Sequence, residues 1–100
     1  MAAFSEIFRT LRRNLFGKQL GMASKLGCTE AAVSYWESGS RLPSPRLLSR
    51  IVECLSGVGA GSEQISELLT SYRGSVLARQ ERLVKGVFVA RDQVEQNGKH

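Results

Sequence analysis

The sequence predicts an all-α fold, a bundle of about five helices, and three observations carry that expectation. Apolar residues recur at three- and four-residue spacing in successive stretches. Glycine or proline punctuates the stretches. Thr29, Ser44 and Ser62 each stand where a helix would need a cap for its first free amides.

FSEIFRTLRRNLF is the first helix, with Phe4, Ile7, Phe8, Leu11 and Leu15 on one stripe and Arg9, Arg12 and Arg13 off it. Gly17 ends it. KQLGMASKL is a short second helix with Met22, Ala23 and Leu26 inward. Gly21 in its interior costs about 1 kcal/mol relative to alanine, which suggests close packing at that point. Gly27 breaks the run. Thr29 caps a third helix, in which Val33, Trp36 and Glu37 share one face while Glu30, Ala31, Ser34 and Tyr35 share the other. Gly39 and the turn SRLPSP close it. Ser44 and Pro45 open a fourth, SPRLLSRIVECL, with Leu47, Leu48, Ile51, Val52 and Leu55 inward.

GVGAG, residues 57–61, bears a faint likeness in its glycine spacing to a phosphate-binding loop, but no strand precedes it and no Lys-Ser/Thr follows. It reads as a flexible connector. Beyond it runs a near-heptad apolar pattern: Ile65, Leu69, Tyr72, Val76, Leu83, Val87, Ala90 and Val94, with Arg79 and Gln80 in its one gap. GVFVAR within it suits a helix or a strand, so residues 84–96 are open between the two. The expected organisation is residues 1–56 as one domain, 57–61 as connector and 62–96 as a C-terminal helical segment.

The net charge of +5 lies wholly in the first half, where eight Lys/Arg face three acids; the second half carries six of each sign. A basic half joined to a neutral half fits a polyanion-binding unit joined to an assembly unit. Cys28 and Cys54 have no metal-ligand spacing, and the only histidine is His100. They read as small buried hydrophobes in a reducing cytoplasm. No nucleophile–base pair or metal cluster is legible, so neither an enzyme nor a metal or cofactor is expected. MAAFSEIFR has an acid where a signal peptide needs its apolar core, and no apolar run approaches the roughly 20 residues that span a bilayer. A cytoplasmic protein is expected.

Two short helices joined through a glycine turn form a helix-turn-helix pattern. KQLGMASKLGCTEAAVSYWESGSRLPS goes further. Gln19, Met22-Ala23, Leu26-Gly27, Thr29, Val33-Ser34, Trp36-Glu37, Gly39, Arg41 and Pro43 stand in fixed register, and the stretch resembles the Cro/CI-type (Xre-like) family of bacterial and phage DNA-binding regulators. The likeness reaches roughly residue 56. It implies a lambda-repressor-like bundle and a homodimeric repressor on an inverted-repeat, double-stranded DNA operator. It also implies that Arg12 forks onto Glu37; the alternative is an exposed Glu37. On this reading Glu30, Ala31, Ser34 and Tyr35 meet base edges, with Glu30 serving equally well as a partner of the helix dipole. Lys18, Gln19, Thr29, Ser40, Arg41 and Arg46 meet phosphates. Phe16 stands where the family has leucine, and Leu20 where a charge is usual. Ile65, Leu69, Tyr72, Val76, Leu83 and Val87 are the expected dimer seam, unless the stripe folds back onto the domain's own core. The rival function is an antitoxin-like regulator whose C-terminal segment binds a partner protein.

Overall fold

The computed structural model describes the backbone of residues 2–98 and the side chains of residues 2–82. Five helices follow in chain order: α1 (Phe4–Leu15), α2 (Gln19–Leu26), α3 (Glu30–Ser38), α4 (Pro45–Gly57) and α5 (Ser62–Gly98). There is no strand among the described residues. Residues 84–96 lie within α5, which removes the strand alternative there.

The stripe of α1 supplies the centre of the core. Phe4 and Phe8 are fully buried and their rings lie 5.5 Å apart. Phe8 meets Trp36 of α3 edge-on at 5.9 Å, an arrangement that suits the charge distribution of both rings. Met22, Ala23 and Leu26 of α2 close one side, and Leu48, Ile51 and Leu55 of α4 the other. Between α2 and α3 the chain turns within three residues. Gly27 takes φ +70°, and its amide and that of Cys28 both donate to the Ala23 carbonyl. A side chain at that φ would cost about 1–2 kcal/mol, so glycine is dictated by the tightness of the turn.

Two of the three expected caps act as the sequence suggests: Thr29 Oγ1 accepts from the Ala32 amide at 3.1 Å and Ser44 Oγ from Leu47 at 3.3 Å, whereas Ser62 is itself the first residue of α5. Both cysteines are free and half-buried. Burial pushes the Cys28 thiol upward in pKa, which lowers its thiolate fraction.

Residues 57–61 differ from the flexible connector expected. α4 runs on through Gly57, and the Ala60 amide donates to the Leu55 carbonyl at 2.9 Å. Ala60 packs on the core, and Gln64 Oε1 accepts from the Gly61 amide at 2.8 Å. The glycines make a tight turn. It returns α5 onto the bundle, where Leu68 is fully buried. Residues 62–82 therefore share a core with residues 4–56, and the expected boundary does not divide the structure.

The seam residues fall accordingly. Ile65, Leu69 and Tyr72 are half-buried and pack against this core; Val76 is half-buried; Leu83 and Val87 lie outside the residues whose side chains are described. Tyr72 lies 5.5 Å from the Phe4 ring, and its hydroxyl donates to the Pro43 carbonyl at 2.7 Å. Ser75 Oγ accepts from the Phe4 amide at 3.4 Å, serving the N-terminus of α1, which has no cap of its own.

Gly21 has no packing reason. A Cβ built there meets nothing within 4 Å, so the close approach expected from the sequence is absent. Gly21→Ala should therefore stabilise the chain by up to about 1 kcal/mol through helix propensity and reduced unfolded-state freedom. A thermal melt should show a rise of several degrees; a fall would mean that α2 packs more closely than this.

Candidate nucleic-acid interface

Placing α3 begins with Glu37. The residue before it, Trp36, is held in the core, so the Glu37 carboxylate starts from the edge of a desolvated region and needs a partner. Arg12, one turn before the end of α1, supplies it. Arg12 Nε donates to Glu37 Oε2 at 2.7 Å and Nη2 to Oε1 at 2.7 Å. The two side chains are 9% and 5% exposed, which makes this a buried two-point fork. Arg12 Nη1 also donates to the Gly17 carbonyl, and Gln19 Nε2 to Glu37 Oε1 at 3.2 Å. One carboxylate thus ties the end of α1, the α1–α2 turn, the first residue of α2 and the last turn of α3. The hydrogen bond to Glu37 holds the Arg12 guanidinium above its ordinary pKa, against the opposing effect of burial. A raised value is lost only on titrating above it, so Arg12 stays charged at any working pH.

With its back fixed, α3 turns Glu30, Ala31, Ser34 and Tyr35 outward, and all four are exposed. Two clefts flank this face on opposite sides of α3. One is lined by Arg9 and Arg13 of α1 with Gln19, Ser34 and Ser38. The other holds Thr29, Tyr35, Arg41 and Pro43. In the second, the Arg41 guanidinium carbon lies 4.7 Å from the centroid of the Tyr35 ring, within cation–π range. Tyr35 and Arg41, expected to do separate jobs, form one stacked unit.

Of the other expected phosphate ligands, Lys18, Thr29, Ser40 and Arg46 are exposed. Gln19 is half-buried with one side-chain N–H given to Glu37, and its backbone N–H stands at the start of α2. That end of α2 has no side-chain cap, which leaves first-turn amides open to an anion. Arg9 and Arg13 were legible only as residues off the apolar stripe of α1; nothing in their spacing showed that α1 runs beside α3. Among the described residues neither has a carboxylate partner, the one ion pair being Arg12–Glu37. No group of three His, Cys, Asp or Glu residues among them is placed to hold a metal.

Arg12→Ala should cost about 3 kcal/mol, because it leaves Glu37 buried and unpaired. Glu37→Gln should cost less, since the amide still accepts from Arg12. Urea unfolding of both single variants and the double variant should give a coupling above about 1 kcal/mol. Additive losses would mean that the pair does not hold in solution.

A helix-turn-helix family model matches residues 9–58, half of the chain. The match covers every residue of the interface described above and stops before α5. No curated protein and no solved structure matches the chain.

Proposed function

The chain belongs to the helix-turn-helix family of the Cro/CI type, a family of DNA-binding transcription regulators, and from that premise we propose a sequence-specific repressor that binds an inverted-repeat operator as a homodimer. The observation that carries this reading is the exposed polar face of α3 with basic flanks on both sides, Arg9 and Arg13 on one and Arg41 on the other. A helix seated in a major groove has a phosphate backbone on each side, and these flanks match the two backbones.

On this reading each residue takes the role its chemistry allows. Ala31 packs on a thymine methyl, Ser34 donates or accepts at a base edge, and Glu30 accepts from cytosine N4. Tyr35 packs on a sugar under Arg41. The Thr29 hydroxyl, whose oxygen already accepts from Ala32, keeps its proton for a phosphate. Lys18, the first amides of α2, Ser40, Arg41 and Arg46 fix the register. No helix among the described residues is long and apolar enough to cross a membrane. The work of such a regulator lies in the cytoplasm of a bacterium, with the chain encoded by the host or by a phage.

Binding to a duplex recovered from random DNA should weaken steeply with salt, the slope of log affinity against log salt falling by about 0.9 per phosphate neutralised. Arg9→Gln and Arg41→Ala should weaken all sequences alike, and Ser34→Ala should change the preferred sequence. A change of preference from Arg9→Gln, with none from Ser34→Ala, would overturn the assignment of the front face.

The dimer contact on this reading lies on the face of α5 turned away from the bundle. Leu77, 58% exposed, is the large apolar residue on that face among the described side chains. Sedimentation should give a dimer for the parent chain and a shift toward monomer for Leu77→Asp, with the unfolding temperature little changed at low protein concentration, where the parent is also monomeric. If Leu77→Asp stays dimeric, the contact lies elsewhere, with Leu20 of α2, 59% exposed, the next candidate. A stoichiometric heterologous partner would favour the antitoxin-like reading.

A further inference from the structure

Arg79 interrupts the apolar pattern of the second half, and the match to the family ends well before it. Its side chain crosses to the far end of the recognition helix. Nη2 donates to the Ser40 carbonyl at 2.8 Å and approaches the Gly39 carbonyl at 3.5 Å. A cleft lined by Ser5, Leu42 and Ser75 lies beside it.

The loop that it touches is held from the opposite side as well. The amides of Gly39, Ser40 and Arg41 all point at the Tyr35 carbonyl, the last two at 3.1 and 3.3 Å. Gly39 takes φ +81°, and Ser38 and Ser40 share a hydroxyl contact at 2.8 Å. The peptide units on either side of Ser40 therefore have their N–H groups fixed by α3 and their carbonyls fixed by α5. What is left to face outward is the pair of side chains, Ser40 and Arg41. The electrostatics point the same way. The C-terminal end of a helix carries about half a negative charge, which would repel a phosphate. A guanidinium on those carbonyls offsets it.

We propose that Arg79 is a positioning residue for DNA binding: it holds the residue 39–41 loop so that Ser40 and Arg41 meet a backbone phosphate. The inference rests on the DNA-binding reading above. It places a determinant of DNA affinity in α5, outside the helix-turn-helix match.

The test is a double-variant cycle on binding, with the full chain and a labelled random-sequence DNA duplex at low salt. Arg79→Ala should lower affinity about ten-fold, the size of one charge-assisted hydrogen bond, and leave the unfolding temperature within a few degrees of the parent. Arg79→Lys, which keeps the charge but not the planar guanidinium whose Nη2 reaches both carbonyls, should recover only part of it. The decisive reading is the Arg41→Ala background, where the Arg79 effect should largely vanish because the loop no longer carries the side chain it positions. If the two losses simply add and Arg79→Lys binds like the parent, Arg79 is a remote charge and the proposal is wrong. If Arg79→Ala is too unstable to measure, the Arg79→Lys and Arg41→Ala cycle decides alone. A parent chain that binds no DNA would overturn the functional reading itself, whereas additive losses in a chain that binds would overturn only this inference.

Discussion

Glu37 is the point through which the geometry of the first three helices passes. Its carboxylate lies beside the core because Trp36 fills that core, and an unpaired charge in that position would be costly. The fork from Arg12 meets that need in one orientation only, since the two donors of a guanidinium are coplanar and fixed in spacing. Fixing the fork fixes the roll of α3 about its own axis. The roll decides which side chains face out: with Val33 and Trp36 inward, Glu30, Ala31, Ser34 and Tyr35 have nowhere else to go. A buried ion pair is weak ground for stability, because desolvation offsets most of the attraction. Its value here is in choosing one arrangement of α1 against α3 among the several that an apolar contact would tolerate.

The same pair accounts for the basic flanks. Arg12 is neutralised by Glu37, so it adds little field to the surface, while Arg9 and Arg13 on the same helix are uncompensated among the described residues and border the front of α3. Three arginines within five residues thus divide between structure and field according to helical phase. Packing explains the split: the α1 face that carries Phe4, Phe8 and Leu11 sets which arginine is drawn to the α1–α3 seam.

Much of this was legible in the sequence. The apolar stripe of α1, the glycine stops and the Thr29 and Ser44 caps are local signals, and local signals survive folding. The Arg12–Glu37 pairing came from resemblance; spacing alone left an exposed Glu37 open. The inner face of α5 was the harder part. A hydrophobic pattern selects Ile65, Leu69, Tyr72 and Val76, of which the first three pack on the bundle, but the most buried positions of α5 are Leu68 and Ser71, with Ser75 one turn on. Serines are tolerated there because each is satisfied: Ser71 Oγ donates to the Leu68 carbonyl at 2.7 Å, and Ser75 Oγ accepts from Phe4. Small polar residues at a close helix contact look like surface in a sequence, so the apolar pattern marks only one edge of the contact face, that of Ile65, Leu69 and Tyr72. Arg79 was invisible for a related reason, since its partners are main-chain carbonyls 39 and 40 residues away. No residue type marks those carbonyls.

With the small polar residues added to that face, α5 has a plain logic. Leu68 enters the core, Tyr72 reaches the Pro43 carbonyl, Ser75 takes the Phe4 amide and Arg79 takes the Ser40 carbonyl. The steps are four, three and four residues, close to the 3.6 of a straight helix, so successive turns of one face grip three different parts of the domain. A helix held at four points over twelve residues has little freedom to tilt or roll. That rigidity is what the proposed dimer requires. Two recognition helices must meet successive major grooves about 34 Å apart, and a contact on α5 fixes that separation only if α5 is fixed relative to α3. The interaction at Arg79 lies at the end of this series and at the end of the recognition helix together. The segment that would set the spacing is therefore the one that steadies the loop beside the DNA.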